Sequence, residues 1–230
     1  MHLEVLVEDH STEEALKNLI PRILGEQISF KIHVFNGKRN LLKKLPDRLG
    51  GFAGWLPADS RIVVLVDQDQ EDCKKLKERL EEAAIRAHLG TRTHPRKNRV
   101  QVLNRIAVEE LEAWFFGDIE AVAQAYPGVS NKLQQRARYR DPDAVKGGTW
   151  ESLEKILQSA GHHKGGLQKI KAARDISIHM IPSRNRSGSF QVSAQGCWQL
   201  LTADADSKRK TWHRSCYLSV LNQSEGRLSV

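Results

Sequence analysis

The sequence is poor in cysteine, in aromatic residues and in long apolar runs, and each shortage removes a class of protein. Its three cysteines, Cys73, Cys197 and Cys216, are an odd set without zinc-ligand spacing. That argues against a disulfide framework and a zinc module and predicts reduced thiols. No apolar stretch approaches the roughly 20 residues that cross a bilayer, so no membrane association is expected. Acids stand at Glu4, Glu8 and Asp9, where a secretory leader would be basic, and the expected location is the cytoplasm. There is no repeat period. What remains is 230 residues, 40% hydrophobic and 28% charged, enough for one large α/β domain or a domain with an appendage. The net charge of +8 favours anionic partners, nucleic acid first.

The first half alternates strand and helix patterns. Strands are expected at Leu3–Val7, Phe30–Phe35, Arg61–Val66 and Val100–Leu103. Helices are expected at Glu13–Leu24 after the cap residues Asp9 to Thr12, through Leu41, Leu42, Leu45 and Leu49, at Glu71–Leu89, and at Val108–Phe116. This order predicts a mostly parallel sheet flanked by helices. From Asp118 onward the patterns are helical: Ile119–Ala125, Trp150–Ser159 with Thr149 as cap, Gly166–Met180, and Phe190–Leu201. The division is therefore a core over 1–117, a helical region over 118–204 packed on it, and a basic tail over 205–230.

Arg61 to Val66 is a run suited to a strand buried on both faces, and it stops at Asp67 and Asp69. Open parallel sheets bind ligands beyond the carboxyl ends of their strands. Residues i and i+2 of an extended chain point the same way, so two hard oxygen ligands would face one point, as a Mg²⁺ or Mn²⁺ site requires. The same residues also fit an acidic turn. Glu8 ends the first strand pattern, and Glu109 and Glu112 would share one face of the 108–116 helix, exposed to solvent or turned to that site. Such a grouping of carboxylates suits metal-assisted phosphodiester hydrolysis, with one carboxylate carrying a proton.

Val7-Glu8 followed by Ser11-Thr12-Glu13, with Val66-Asp67-Gln68-Asp69, resembles the signatures of the Toprim fold of primases, topoisomerases and nucleases of the overcoming-lysogenisation-defect type. Glu109 to Phe115, Arg140-Asp-Pro-Asp143, Gly147-Gly-Thr-Trp150 and Ser187-Gly-Ser-Phe190 resemble a Toprim-like bacterial family, domain of unknown function 4276, across about Leu3 to Leu201. The resemblance implies a metal-dependent nuclease, often encoded beside an ATPase in phage-defence loci. It implies Glu8, Asp67 and Asp69 as Mg²⁺ or Mn²⁺ ligands and Glu112 as ligand or supporting acid. Asp9 stands where the Toprim signature has glycine, and the turn is one residue longer, which puts Glu13 out of step with the family's second acid.

Two basic segments complete the reading. Gly161 to Lys171 sets a glycine-rich turn before a basic helix, with Lys164 as a phosphate contact or the turn as a helix cap. Ser183 to Ser189 offers Arg184 and Arg186 as a phosphate clamp, or its serines as caps. Two other functions fit the acids: an Asp67-based phosphatase, and a non-catalytic module that serves an ATPase or RNA partner.

Overall fold

A computed structural model describes residues 1–202 of the chain; the basic tail at 205–230 and Cys216 lie outside the described residues. Strands β1 (His2–Val7), β2 (Ser29–Val34), β3 (Ser60–Asp67) and β4 (Val102–Ala107) form one sheet in the order β2-β1-β3-β4. All three pairings are parallel, with Val7 opposite Val34 and Leu65, and Asp67 opposite Ala107. The expected α/β class with a parallel sheet is what the chain adopts.

Alternation along the strands divides the core. Leu3, Val5, Val7, Val63 and Leu65 face one apolar layer, while Leu6, Ile62, Val64 and Val66 face the other. The second layer is completed by helices α2 (Lys38–Trp55) and α3 (Cys73–Arg86), through Leu41, Leu45, Leu49, Leu76 and Leu80. The first layer receives α1 (His10–Leu24), α4 (Glu112–Gly117), α5 (Ile119–Ala125), α6 (Thr149–Ser159), α7 (Lys169–Ser177) and α8 (Gly188–Thr202). The helical region thus shares one core with the sheet. Full burial of a Leu or Phe side chain contributes about 1.5–3 kcal/mol, and the residues from Leu3 to Leu201 in this layer are the main source of cohesion. No described helix is long and apolar enough to cross a membrane.

Three elements depart from the sequence expectation. β4 runs over Val102–Ala107 where the apolar run suggested Val100–Leu103; its buried Asn104 donates to Glu81 at 2.9 Å, and Arg105 donates to the Asn104 carbonyl at 3.0 Å. The helix expected over 108–116 begins only at Glu112, since Glu109 has φ +61° and interrupts the turn. Glu109 and Glu112 therefore share no helical face. Thr149 is the first residue of α6 and Gly148 holds the cap position. Among the described residues the second half contains no strand, as expected.

Two motifs of the second half tie the helices together. Asp143 accepts from the Ser187 hydroxyl at 2.6 Å and from the Ser189 amide at 2.8 Å, holding the start of α8. The Ser189 hydroxyl in turn accepts from the Trp114 indole at 3.0 Å. Asn185 donates to the Trp114 carbonyl at 2.8 Å and accepts from the Ser187 amide at 2.9 Å. A methyl on Gly117 would stand 2.0 Å from the Asn185 amide oxygen. Gly117→Ala is expected to cost about 1–3 kcal/mol by overpacking, read as a lower midpoint in urea unfolding.

Candidate functional site

The sheet order reverses direction between β1 and β3, and open parallel sheets form their crevice at such a point. Glu8 follows β1 and Asp67 ends β3, so the two acids flank the reversal. Glu8 Oε1 accepts the Asp67 backbone N–H at 2.7 Å across it. The Gln68 amide donates to the Ala107 carbonyl at 2.8 Å and the Asp69 amide to the Glu109 carbonyl at 2.7 Å. These bonds set the path of the chain beyond β3 and put Asp69 in the left-handed region at φ +50°. Asp69 is thereby turned outward, half-exposed, and Asp67 stays partly buried.

The charges of this crevice act on one another. Burial, then Glu8, Glu112, Asp9 and Asp69, hold the Asp67 carboxyl well above the usual aspartate range. Burial lifts Glu8 to about 7, against the lowering effects of the Asp67 amide and Lys38 and with help from Asp69 and Asp9. Burial also lifts Glu112, only 4% exposed, to about 7; Lys169 opposes this and Glu110 adds to it. For a wholly buried carboxyl, a rise from 4.5 to about 7 corresponds to roughly 3 kcal/mol of unfavourable free energy in the ionised form.

Two lysines meet these acids from opposite sides. Lys38, the first residue of α2, stands 2.8 Å from Asp69 and 3.3 Å from Glu71, and donates to the Gln68 carbonyl at 2.9 Å. Lys169, the first residue of α7, stands 3.7 Å from Glu112 and 3.8 Å from Glu110, with its ammonium 5.1 Å from the centre of the Trp150 ring. Burial alone would lower both ammonium groups; their acidic neighbours reverse that and keep them charged. Glu110 fixes this corner by accepting from the Thr149 hydroxyl at 2.9 Å and the Trp150 amide at 3.3 Å.

The sequence candidates thus separate. Glu8, Asp67, Asp69 and Glu112 come together. Glu109 contributes its carbonyl to the Asp69 loop. Glu13 pairs with His10 at 2.8 Å and Lys17 at 3.0 Å along α1. Asp9 caps α1 by accepting the Thr12 amide at 2.8 Å, which accounts for an acid in that position. Lys164 is exposed on its loop, and the lysine at the acidic centre is Lys169. Arg184 grips Asp118 with two bonds of 2.7 and 3.0 Å and reaches Glu120 at 2.7 Å. Arg186 donates to Gln134 at 2.9 Å and the Arg140 carbonyl at 2.7 Å. Both arginines are thus bonded within the chain, Arg186 at the surface, and these contacts of the two residues from the Ser183–Ser189 loop do not include the acidic centre. Lys38, Lys169, Trp150 and Glu110 were not singled out for this site. Their signals were the turn at Asn36-Gly37 before Lys38 and the basic stretch that contains Lys169.

As donors, these carboxylates suit a hard divalent ion. Among the described residues, however, no three Asp, Glu, His or Cys side chains form a ready ligand cluster. Asp69 is paired with Lys38, and Glu112 with Lys169.

The fold and site define an open parallel α/β protein with an acidic centre at its topological switch point. The chain belongs to the family of domain of unknown function DUF4276, whose model matches residues 7–193. No curated protein and no solved structure matches it.

Proposed function

We propose that this is a Toprim-type, Mg²⁺ or Mn²⁺-dependent endonuclease acting on nucleic acid in the cytoplasm, with an ATPase as partner. The observation that carries the reading is the Asp67 carboxyl at the sheet's switch point, repelled by Glu8, Glu112, Asp9 and Asp69 and bracketed by Lys38 and Lys169. Repelled, desolvated carboxylates form a field that a cation relieves. Glu8, Asp67 and Asp69 would hold the ion, which when bound polarises a phosphodiester and activates a water. Glu112 supports the set from its buried position. Glu8, near neutrality at about 7, can exchange a proton in the working pH range. Lys169 can face a phosphate oxygen, since its ammonium is kept charged and its side chain is partly exposed.

A second reading, a non-catalytic module for an ATPase or RNA partner, draws support from the lysine pairs on Asp69 and Glu112. The deciding experiment incubates supercoiled plasmid, single-stranded DNA and bulk tRNA with the protein in Mg²⁺, Mn²⁺ or EDTA, beside Asp67→Ala/Asp69→Ala. Metal-dependent cleavage that the double variant lacks is the expected result. No cleavage of any substrate, with divalent-ion binding the same in both proteins, would favour the module.

A further inference from the structure

One segment of the surface connects with this centre and has no role in it so far. The chain from Lys132 to Lys146 passes through three short 3-10 turns, Leu133–Gln135, Ala137–Tyr139 and Pro142–Ala144. It carries Lys132, Arg136, Arg138, Arg140 and Lys146, all exposed. Among the described residues none of these five forms an ion pair, in contrast to Arg184, whose guanidinium is held by Asp118 and Glu120. The segment's two acids, Asp141 and Asp143, are fewer than its cations, and Asp143 is turned to Ser187 and Ser189.

The segment leads to the acidic centre through a chain of contacts. Arg138 donates to the Ser152 hydroxyl at 3.0 Å on α6, and a methyl on Gly147 would lie 3.2 Å from its guanidinium. Gly147 and Gly148 take φ of +83° and +84°, a turn that carries the chain from this guanidinium to Trp150. Trp150 is partly exposed, held from its backbone by Glu110, and stands beneath the Lys169 ammonium, which reaches Glu112. Cations, an indole and the Lys169 ammonium therefore follow one another toward the buried Glu112 carboxylate.

We infer that this path is the docking surface for a single strand of nucleic acid, with phosphates along the 132–146 segment and an unpaired base stacked on Trp150 beside the acidic centre. Unpaired cations follow a phosphate backbone, and an aromatic face accepts any base without reading it. A duplex keeps its bases stacked inside, out of reach of an indole on a surface. The inference takes its purpose from the nuclease reading, but its test uses binding alone.

The test is fluorescence anisotropy of labelled single-stranded and duplex oligonucleotides with the full chain in EDTA, where no cleavage competes, over a range of salt. Single strands are expected to bind roughly tenfold or more tighter than duplex of the same length. Trp150→Ala should weaken single-strand binding about tenfold and leave the salt slope unchanged, while Trp150→Phe keeps most of the affinity. Arg136→Gln/Arg140→Gln, whose side chains make no described internal bond, should lower the log–log salt slope by about 1.4. Equal affinity for duplex, or wild-type binding by Trp150→Ala in a protein whose circular dichroism is unchanged, would overturn the stacking role. An unchanged slope in the arginine variant would overturn the path. If no nucleic acid is ever cleaved and this binding pattern still holds, the inference stands and the nuclease reading fails.

Discussion

Asp67→Asn is expected to do two opposite things at once: abolish metal-dependent cleavage and raise the thermal stability of the metal-free protein. The loss of activity follows from removing the central charge of the proposed ligand set, a loss of at least about 10²–10³-fold on the scale of deleted electrostatic groups. The gain in stability follows from the repulsion around that carboxyl, which is desolvated and faces four other acids. An amide of the same shape is free of that penalty, and each kcal/mol recovered is worth about 2–4 °C of Tm in a chain of this size. Differential scanning fluorimetry in EDTA at pH 7.5 checks the sign. A lower Tm for the variant would mean that the carboxylate is a favourable part of the fold.

The same repulsion sets a pH dependence. Glu8 and Glu112 are raised from 4.5 to about 7, so between those values the folded state binds more protons than the unfolded one. The contribution of these two groups to the stability of the metal-free protein should then fall as pH rises from about 4.5 to about 7. Glu112→Gln should flatten part of that slope, and added Mg²⁺ should restore stability chiefly at the upper end.

The second large effect is expected far from the crevice. Asp118 is 1% exposed and accepts four bonds: from the Ala121 amide at 3.3 Å, the Ile181 amide at 2.9 Å, and the Arg184 guanidinium twice. Removing one member of a buried ion pair leaves the other uncompensated, at a cost of about 3–5 kcal/mol. Asp118→Ala and Arg184→Ala should each lower the urea midpoint by an amount on that scale, and the double variant by clearly less than their sum. Arg184→Ala should also leave the salt slope of nucleic-acid binding unchanged. A slope lowered as in the Arg136 and Arg140 variant would return Arg184 to the phosphate path.

The central strands of the sheet were legible because both of their faces are buried. Leu3–Val7 and Arg61–Val66 read as apolar runs for that reason. The ends were less legible where polar residues are tolerated, as at Asn104 and Arg105 on the edge strand. Glu8, Asp67 and Asp69 could be picked out since each stands next to a recognisable strand end. Lys169 could not, because its distance to Glu112 depends on how α7 lies against the sheet, and no local pattern encodes that. Arg184 is ambiguous for a related reason. A guanidinium in a serine-rich loop has the same local sequence whether it meets a phosphate or the carboxylate of Asp118.

The packing of α1 against α7 has a consequence for the newborn chain. α1 carries Leu16, Leu19 and Ile20 on its apolar face, while their partners Ala172, Ala173 and Ile176 are made only well after it. Until then the nascent sheet carries its acids without Lys169, and an oily stripe stands open to water. Such a late, long-range closure slows folding and prolongs the exposure that chaperones recognise. A chain arrested before α7 would be expected to stay bound to a holdase, and the full-length chain to let go of it.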